Sequence, residues 1–297
     1  MRIGLMFVAL GVAVAGVAGE EVLSFERQGE FDVCRDVAYY PPSFPEDGKG
    51  DRTAQCRLDL RRPANVTGFP TVVWFHGGGL MRGSRNFVGV DFHDKEIATI
   101  AVDYRLMGET NSIRAADCLT DAAAAVSWTL DHIASCGGDP KKVFVSGSSA
   151  GGYLTMMIGM DPRWLAKFGH RPLDLAGLAP NSGQATTHFN VKRLNGDKRP
   201  RWQPIIDEWA PLDYCENWAS IPPMVIICGE APWEMLERAE ENKLLAASLR
   251  ALGHRKVWYV SLPYANHGRT TLAGAPYIEY FVRGNYPEPL ENPVLGH

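Results

Sequence analysis

The chain has 297 residues, of which 45% are apolar and 22% are charged, the proportions of an ordinary globular protein. Its net charge of −4 at pH 7 gives no electrostatic reason to expect nucleic acid or an anionic membrane as a partner. The length suffices for one large domain with its own hydrophobic core, and no repeat or low-complexity tract divides the sequence.

The first nineteen residues predict a secretory signal peptide. Arg2 supplies a positive charge, residues 3–17 are uncharged and mostly apolar, and Val17-Ala18-Gly19 is a small-residue cleavage site. A membrane anchor is the alternative, but the apolar run is shorter than the ~20 residues that a span needs. We therefore expect residues 20–297 to form one exported domain, periplasmic or secreted, with no membrane partner after leader removal.

Export gives the six cysteines access to an oxidising compartment. Cys34 and Cys56 flank a turn-rich stretch, residues 41–51, between two strand-like runs, and this arrangement predicts a β-hairpin. We expect a disulfide between the two. No cysteines have a C-x-x-C spacing, and no set of ligand-spaced residues predicts a metal or an organic cofactor.

Beyond the hairpin, short apolar runs alternate with helical patterns. Strands are predicted at residues 70–75, 97–104, 143–146, 175–180, 224–228 and 257–262, and helices at 112–135, 150–160 and 234–252. Strands that are separated by helices favour a mostly parallel sheet with helices on both faces.

Two glycine-rich motifs follow predicted strands. His76-Gly77-Gly78-Gly79 comes after the strand at 70–75, and Gly147-Ser148-Ser149-Ala150-Gly151-Gly152 joins a strand to a helix. A G-x-S-x-G sequence at such a turn is typical of a nucleophilic serine, here Ser149. The backbone amides of Gly77, Gly78 and Ala150 are the expected donors to the oxyanion that forms when a serine attacks a carbonyl carbon.

The expected order of the remaining catalytic groups is acid and then histidine. His267 directly follows the last predicted strand, where a loop can bring it over Ser149, and it is the predicted base. The acid should follow the strand at 224–228, where no aspartate occurs. Glu230 is nearest the strand end and is the predicted acid, with Glu234 as the alternative.

These motifs resemble those of the hormone-sensitive-lipase-like (α/β-hydrolase fold-3) serine esterases, a group close to acetyl-xylan and feruloyl esterase-like proteins. The similarity covers about residues 33–285 and includes, besides both glycine motifs, Asp103-Tyr104-Arg105-Leu106, Asp121 with Trp128, Gly138-Asp139-Pro140 and His267-Gly268. The resemblance implies the α/β-hydrolase fold and the roles given above for Ser149 and His267. It also implies an aspartate at position 232, where this chain has Pro232.

Residues 184–209 have little periodicity and contain two basic clusters. We predict that this insertion is a short lid over the active site, in which His188, Phe189 and Trp202 contact the substrate. An ordinary solvated loop is the alternative.

Taken together, the motifs predict a serine carboxylesterase that acts through an acyl-enzyme on a small-molecule ester, whose carbohydrate or plant-derived origin rests only on export and resemblance. The absent aspartate leaves open a non-catalytic binding module of the same fold, and a peptidase of this fold is a further alternative. The sequence leaves the oligomeric state open.

Overall fold

A computed structural model of the protein describes residues 12–13, 23–86, 92 and 96–285. The predicted signal peptide therefore lies outside the described residues, apart from two positions. Within the described part of the chain, no helix has the length and apolarity needed to cross a bilayer.

The described residues form ten strands and seven α-helices. The strands are β1 (Val12–Ala13), β2 (Ser24–Gln28), β3 (Phe31–Ala38), β4 (Arg57–Pro63), β5 (Phe69–Phe75), β6 (Ala98–Val102), β7 (Gly138–Ser148), β8 (Gly177–Asn181), β9 (Met224–Gly229) and β10 (Val257–Leu262). The helices are α1 (Arg52–Gln55), α2 (Ala115–His132), α3 (Ala150–Met160), α4 (Arg163–Ala166), α5 (Phe189–Leu194), α6 (Leu236–Leu252) and α7 (Thr270–Val282), and 3-10 helices span Pro172–Asp174 and Pro211–Ser220.

One sheet contains all these strands, in the order β1-β2-β3-β4-β6-β5-β7-β8-β9-β10. The strands from β5 to β10 pair in parallel, whereas β1 to β4 are antiparallel and β4 joins β6 in an antiparallel pair. The prediction of an α/β fold with a mostly parallel central sheet is confirmed.

Strand β5 shows why its sequence is a continuous apolar run. Val73 and Phe75 belong to the core that α2, α3 and α6 cover, whereas Val72 and Trp74 belong to the core under α7. Because helices cover both faces of the sheet, the side chains on either face of the strand are buried among apolar residues. The carboxyl ends of the parallel strands then leave the sheet along one edge, where ligands bind in open α/β sheets.

The hairpin between β3 and β4 forms, but the predicted Cys34–Cys56 disulfide is wrong. The register is shifted after Cys34, which lies opposite Leu60. Cys56 precedes Leu60 by four residues, or ~13 Å at ~3.3 Å per residue, and disulfides require Cα atoms within ~7 Å. Cys56 is instead a buried thiol whose pKa is raised by burial.

A buried ion pair connects α2 to the loop after β6. Arg105 and Asp121 have fully buried side chains, and the guanidinium donates to the carboxylate at 2.7 Å. Asp121 also accepts hydrogen bonds from the Arg105 backbone N–H at 2.9 Å and the Tyr40 hydroxyl at 2.6 Å. Three of the residues that carry the family resemblance, Asp121, Arg105 and Tyr104, therefore lie in the interior.

Candidate active site

Ser149 lies at a sharp turn between β7 and α3, with φ +56° and ψ −112°. A positive φ is strained for a residue with a side chain, so the surrounding backbone must hold it in place. The Ser149 N–H donates to the carbonyl of Asn181 at 2.9 Å. A Cβ on Gly151 would lie 2.0 Å from the carbonyl oxygen of Phe75, so only glycine permits this approach of helix to strand.

His267 follows β10 and contacts Ser149. Its Nε2 lies 2.8 Å from the Ser149 Oγ, and its Nδ1 lies 3.0 Å from Oε1 and 3.2 Å from Oε2 of Glu234. A carboxylate accepts hydrogen bonds and donates none, so Nδ1 carries the proton and Nε2 is the acceptor that faces the serine hydroxyl. The three side chains form a Ser–His–Glu triad.

Glu234, rather than the expected Glu230, faces His267. The backbone turns back after β9, where the N–H groups of Trp233 and Glu234 each donate to the Glu230 carbonyl at 2.9 Å. This turn leaves the Glu230 side chain exposed and returns Glu234 to the sheet edge, where it is buried. Helix α6 begins only at Leu236, so Glu234 lies before the helix that the sequence placed it in.

The Glu234 carboxylate has three hydrogen-bond donors. Besides His267, the Ser182 hydroxyl donates to Oε2 at 2.9 Å and the Met235 N–H donates to Oε1 at 2.9 Å. Burial alone raises its pKa, but these hydrogen bonds and the nearby His267 outweigh burial and hold the pKa below its usual value. Glu234 is therefore ionised at neutral pH.

Ser182 was not among the site residues predicted from the sequence. It directly follows β8, is fully buried, and has φ +46°, so the chain turns sharply there. The available signal was its position directly after a buried strand, which it shares with Ser149.

The glycine loop after β5 lies against the serine turn. A Cβ on Gly77 would lie 3.4 Å from the Ser149 Cβ, and Gly78 has φ +108°. Tyr104 supports the loop, because its hydroxyl donates to the His76 carbonyl at 2.9 Å and its ring stacks on the imidazole at 4.4 Å. His76 thus shapes the loop, and burial lowers its pKa and keeps it neutral.

The three predicted oxyanion donors are grouped around Ser149. Gly77 and Gly78 line the same cavity as Ser149 and His267. Ala150 is the first residue of α3, and the first amides of a helix have no carbonyl partner within it. These positions are compatible with the predicted role.

A cavity of about 880 Å³ opens above Ser149. Its walls include the loops after β5 and β10, the start of α6, and four residues of the predicted lid: Phe189, Asn190, Arg201 and Trp202. His188 does not line it, because its buried ring caps α5 by accepting the Asn190 N–H at 3.2 Å. Two of the three substrate contacts predicted for residues 184–209 therefore face the cavity.

Comparisons with known proteins place these features in a wider context. The BD-FAE family model matches residues 58–166, a span that contains both glycine motifs. Carboxyl esterase 2 of Tuber melanosporum has a similar structure, with a TM-score of 0.65 at 17% identity over 88% of each chain. The chain has the α/β-hydrolase fold. A bacterial heroin esterase superposes on this chain with a TM-score of 0.64 at 20% identity, over 88% of this chain and 86% of the other.

Sequence relatives of this chain include named hydrolases. Carboxylesterase 1D of Mus musculus is 30% identical over an alignment of 219 residues that covers 69% of this chain and 36% of the mouse protein. Phenmedipham hydrolase of Pseudarthrobacter oxydans is 33% identical over an alignment of 155 residues that covers 43% of this chain and 30% of that protein. The chain thus spans about a third of each of these relatives. The matches agree with the hormone-sensitive-lipase-like group that the motifs resemble.

Proposed function

We propose that the protein is a serine carboxylesterase that hydrolyses small acyl esters. The observation that carries this proposal is a pair of hydrogen bonds below the cavity. His267 Nε2 lies 2.8 Å from the Ser149 Oγ, and His267 Nδ1 lies 3.0 Å from Oε1 of Glu234. Nucleophile, base and orienting carboxylate are thus within hydrogen-bond reach of each other. Relatives that are named as carboxylesterases add independent support.

In the acylation step, the Ser149 Oγ attacks the ester carbonyl carbon while His267 Nε2 takes the hydroxyl proton. The carbonyl oxygen becomes an oxyanion, to which the amides of Gly77, Gly78 and Ala150 donate. The bond from carbon to the alcohol oxygen then breaks, and His267 returns the proton to the leaving alkoxide. Glu234 holds the imidazole in the reactive tautomer and stabilises its charged form.

In the second step, water attacks the acyl-enzyme. His267 accepts a proton from the water, the acid product leaves, and Ser149 regains its hydrogen. The cavity of about 880 Å³ lies within the size range of small-molecule sites, which supports small rather than polymeric acyl groups. Carbohydrate or plant-derived esters remain a prediction from resemblance.

A non-catalytic module is the alternative that the absence of an aspartate at position 232 favours. Glu234, two positions after Pro232, provides a buried carboxylate that contacts His267, and this contact favours the esterase instead.

Hydrolysis of 4-nitrophenyl acetate by the wild type and by Ser149→Ala tests the proposal. We expect Ser149→Ala to lose on the order of 10⁴-fold or more in kcat/KM. Equal rates for both proteins would overturn it.

We further propose that the protein is exported after cleavage behind Gly19. Sequencing the amino terminus of protein recovered outside the cytoplasm should find Glu20 first. Retention of residues 1–19 on cytoplasmic protein would contradict this.

A further inference from the structure

The charged side chains around the cavity have one sign. Among the described residues, and apart from its two histidines, the charged residues that line it are Arg82, Arg201 and Arg238. No described carboxylate lines it, since Glu234 lies behind His267. A cleft lined by one sign of charge between low-dielectric walls concentrates ligands of the opposite sign.

The guanidinium of Arg201 lies over two aromatic rings in the cavity wall. Its guanidinium lies 4.3 Å from the ring centroid of Phe189 and 4.4 Å from that of Trp202, and these two rings are 4.9 Å apart. Stacking fixes the plane of the guanidinium and leaves the N–H groups at its edge available. Those donors match the two oxygens of a carboxylate.

Nearby arginines outside the cavity are neutralised, whereas Arg201 is not. Arg199 forms an ion pair with Asp197 at 2.7 Å, and Arg193 pairs with Glu109. Arg201 has no carboxylate partner in the described part of the chain. Of the three arginines in residues 184–209, the one without a carboxylate partner among the described residues is therefore the one that faces the cavity.

Arg238 lies deeper in the site, where its charge is offset. It is 3% exposed, and its Nη1 donates to the carbonyl of Ser182. The carboxylates of Glu241, Glu234 and Glu237 lie close enough to favour its charged form. Arg238 therefore adds no surplus positive charge, and the unbalanced cations that line the cavity are Arg82 and Arg201.

We propose that the ester substrate carries a carboxylate, which Arg201 binds at the mouth of the cavity with Arg82 adding to the positive potential. This inference rests on the proposed esterase function. It names the substrate class of the same site.

Two matched pairs of esters test the proposal. The mono-4-nitrophenyl ester of adipic acid is compared with 4-nitrophenyl hexanoate, which places the charge on the acyl side. In the second pair, 4-acetoxybenzoate is compared with 4-acetoxybenzamide, which places it on the alcohol side. We expect a higher kcat/KM for the anionic member in at least one pair, and a smaller ratio in high salt because added ions screen the attraction.

Arg201→Gln should lower the ratio of anionic to neutral kcat/KM by about tenfold, since a charge-assisted hydrogen bond is lost. Arg201→Lys should recover part of the ratio, because it keeps the charge and loses the planar fork. Arg199→Gln is the control two residues away, and it should leave both rates unchanged.

The outcomes separate this inference from the proposed function. Turnover of the neutral esters with no anionic preference in either pair would overturn the inference and leave the esterase proposal standing. A preference that Arg201→Gln does not reduce would also overturn it. Absence of turnover with all four esters would contradict the esterase proposal itself.

Discussion

His267 Nδ1 lies 3.0 Å from Oε1 of Glu234, and the register of the sheet explains how residues 33 positions apart meet. Leu262 at the end of β10 pairs with Gly229 at the end of β9. Glu234 and His267 each follow their paired residue by five positions. Two loops of equal length thus leave neighbouring parallel strands from one level of the sheet and meet above its edge.

Glu234→Gln should lower kcat for 4-nitrophenyl acetate by about 10²- to 10⁴-fold. A glutamine offers no charge to the imidazolium and can hold His267 in the wrong tautomer. Glu230→Gln is the matched control, and it should change kcat little because the Glu230 side chain is exposed. A larger loss in Glu230→Gln than in Glu234→Gln would contradict the assignment.

The acid stability of the fold should depend on Ser182. The pKa of Glu234 is lowered from its usual value near 4.5, so its contribution to stability is present above that pH and is lost as the pH falls through the lowered pKa. Ser182→Ala removes one of the hydrogen bonds that lower this pKa, so the variant should be less stable at neutral pH and should lose less of its stability as the pH falls. Tm measured from pH 3 to 7 tests this.

Ser135→Ala is the control for that series. Its exposed hydroxyl donates to the His132 carbonyl, away from any titrating carboxylate. A fall in Tm from pH 7 to pH 3 that becomes smaller in both variants equally, or in neither, would rule out the role given to Ser182.

Local sequence patterns accounted for much of the fold, because its buried strands are distinctive. Helix α3 and strand β10 have the predicted bounds, and the site serine and histidine were recognised from their positions after strands. The acid could not be chosen in this way. Glu230 and Glu234 both follow β9, and only the turn made by the backbone at Glu230 decides which side chain returns to the sheet edge.

The disulfide was mispredicted for a related reason. A hairpin places two strands side by side, but the distance between particular residues depends on register, and here Cys34 lies opposite Leu60 rather than Cys56. Ser182 was missed because its function depends on Glu234, a contact between residues 52 positions apart.

Gly78→Ala should reduce kcat through the glycine loop. Gly78 has φ +108°, and an added Cβ would lie 1.9 Å from the carbonyl oxygen of Arg82, so the loop must move. Gly169→Ala separates this effect from backbone strain, because Gly169 has φ +82° but no atom within 4 Å of an added Cβ. We expect Gly169→Ala to cost about 1 kcal/mol in unfolding free energy and to retain kcat. Equal kcat in both variants would contradict the role of the loop.

Asp121→Asn should destabilise the protein by about 3–5 kcal/mol, because it leaves the buried Arg105 charge without its main partner. Urea unfolding measures the change. Asp131→Asn is the control, since Asp131 is 57% exposed in its contact with His170, and a surface pair of this kind contributes about 0–1 kcal/mol. Similar losses in the two variants would show that the buried pair has no special importance.

The proposed function requires that His267 and Glu234 activate Ser149. Labelling with a fluorophosphonate, followed by intact mass and peptide mapping, tests it most directly, because only an activated serine reacts rapidly. We predict one adduct per chain, located on Ser149, absent in Ser149→Ala and formed much more slowly in Glu234→Gln. An unlabelled wild type, or an adduct on any other residue, would contradict the claim.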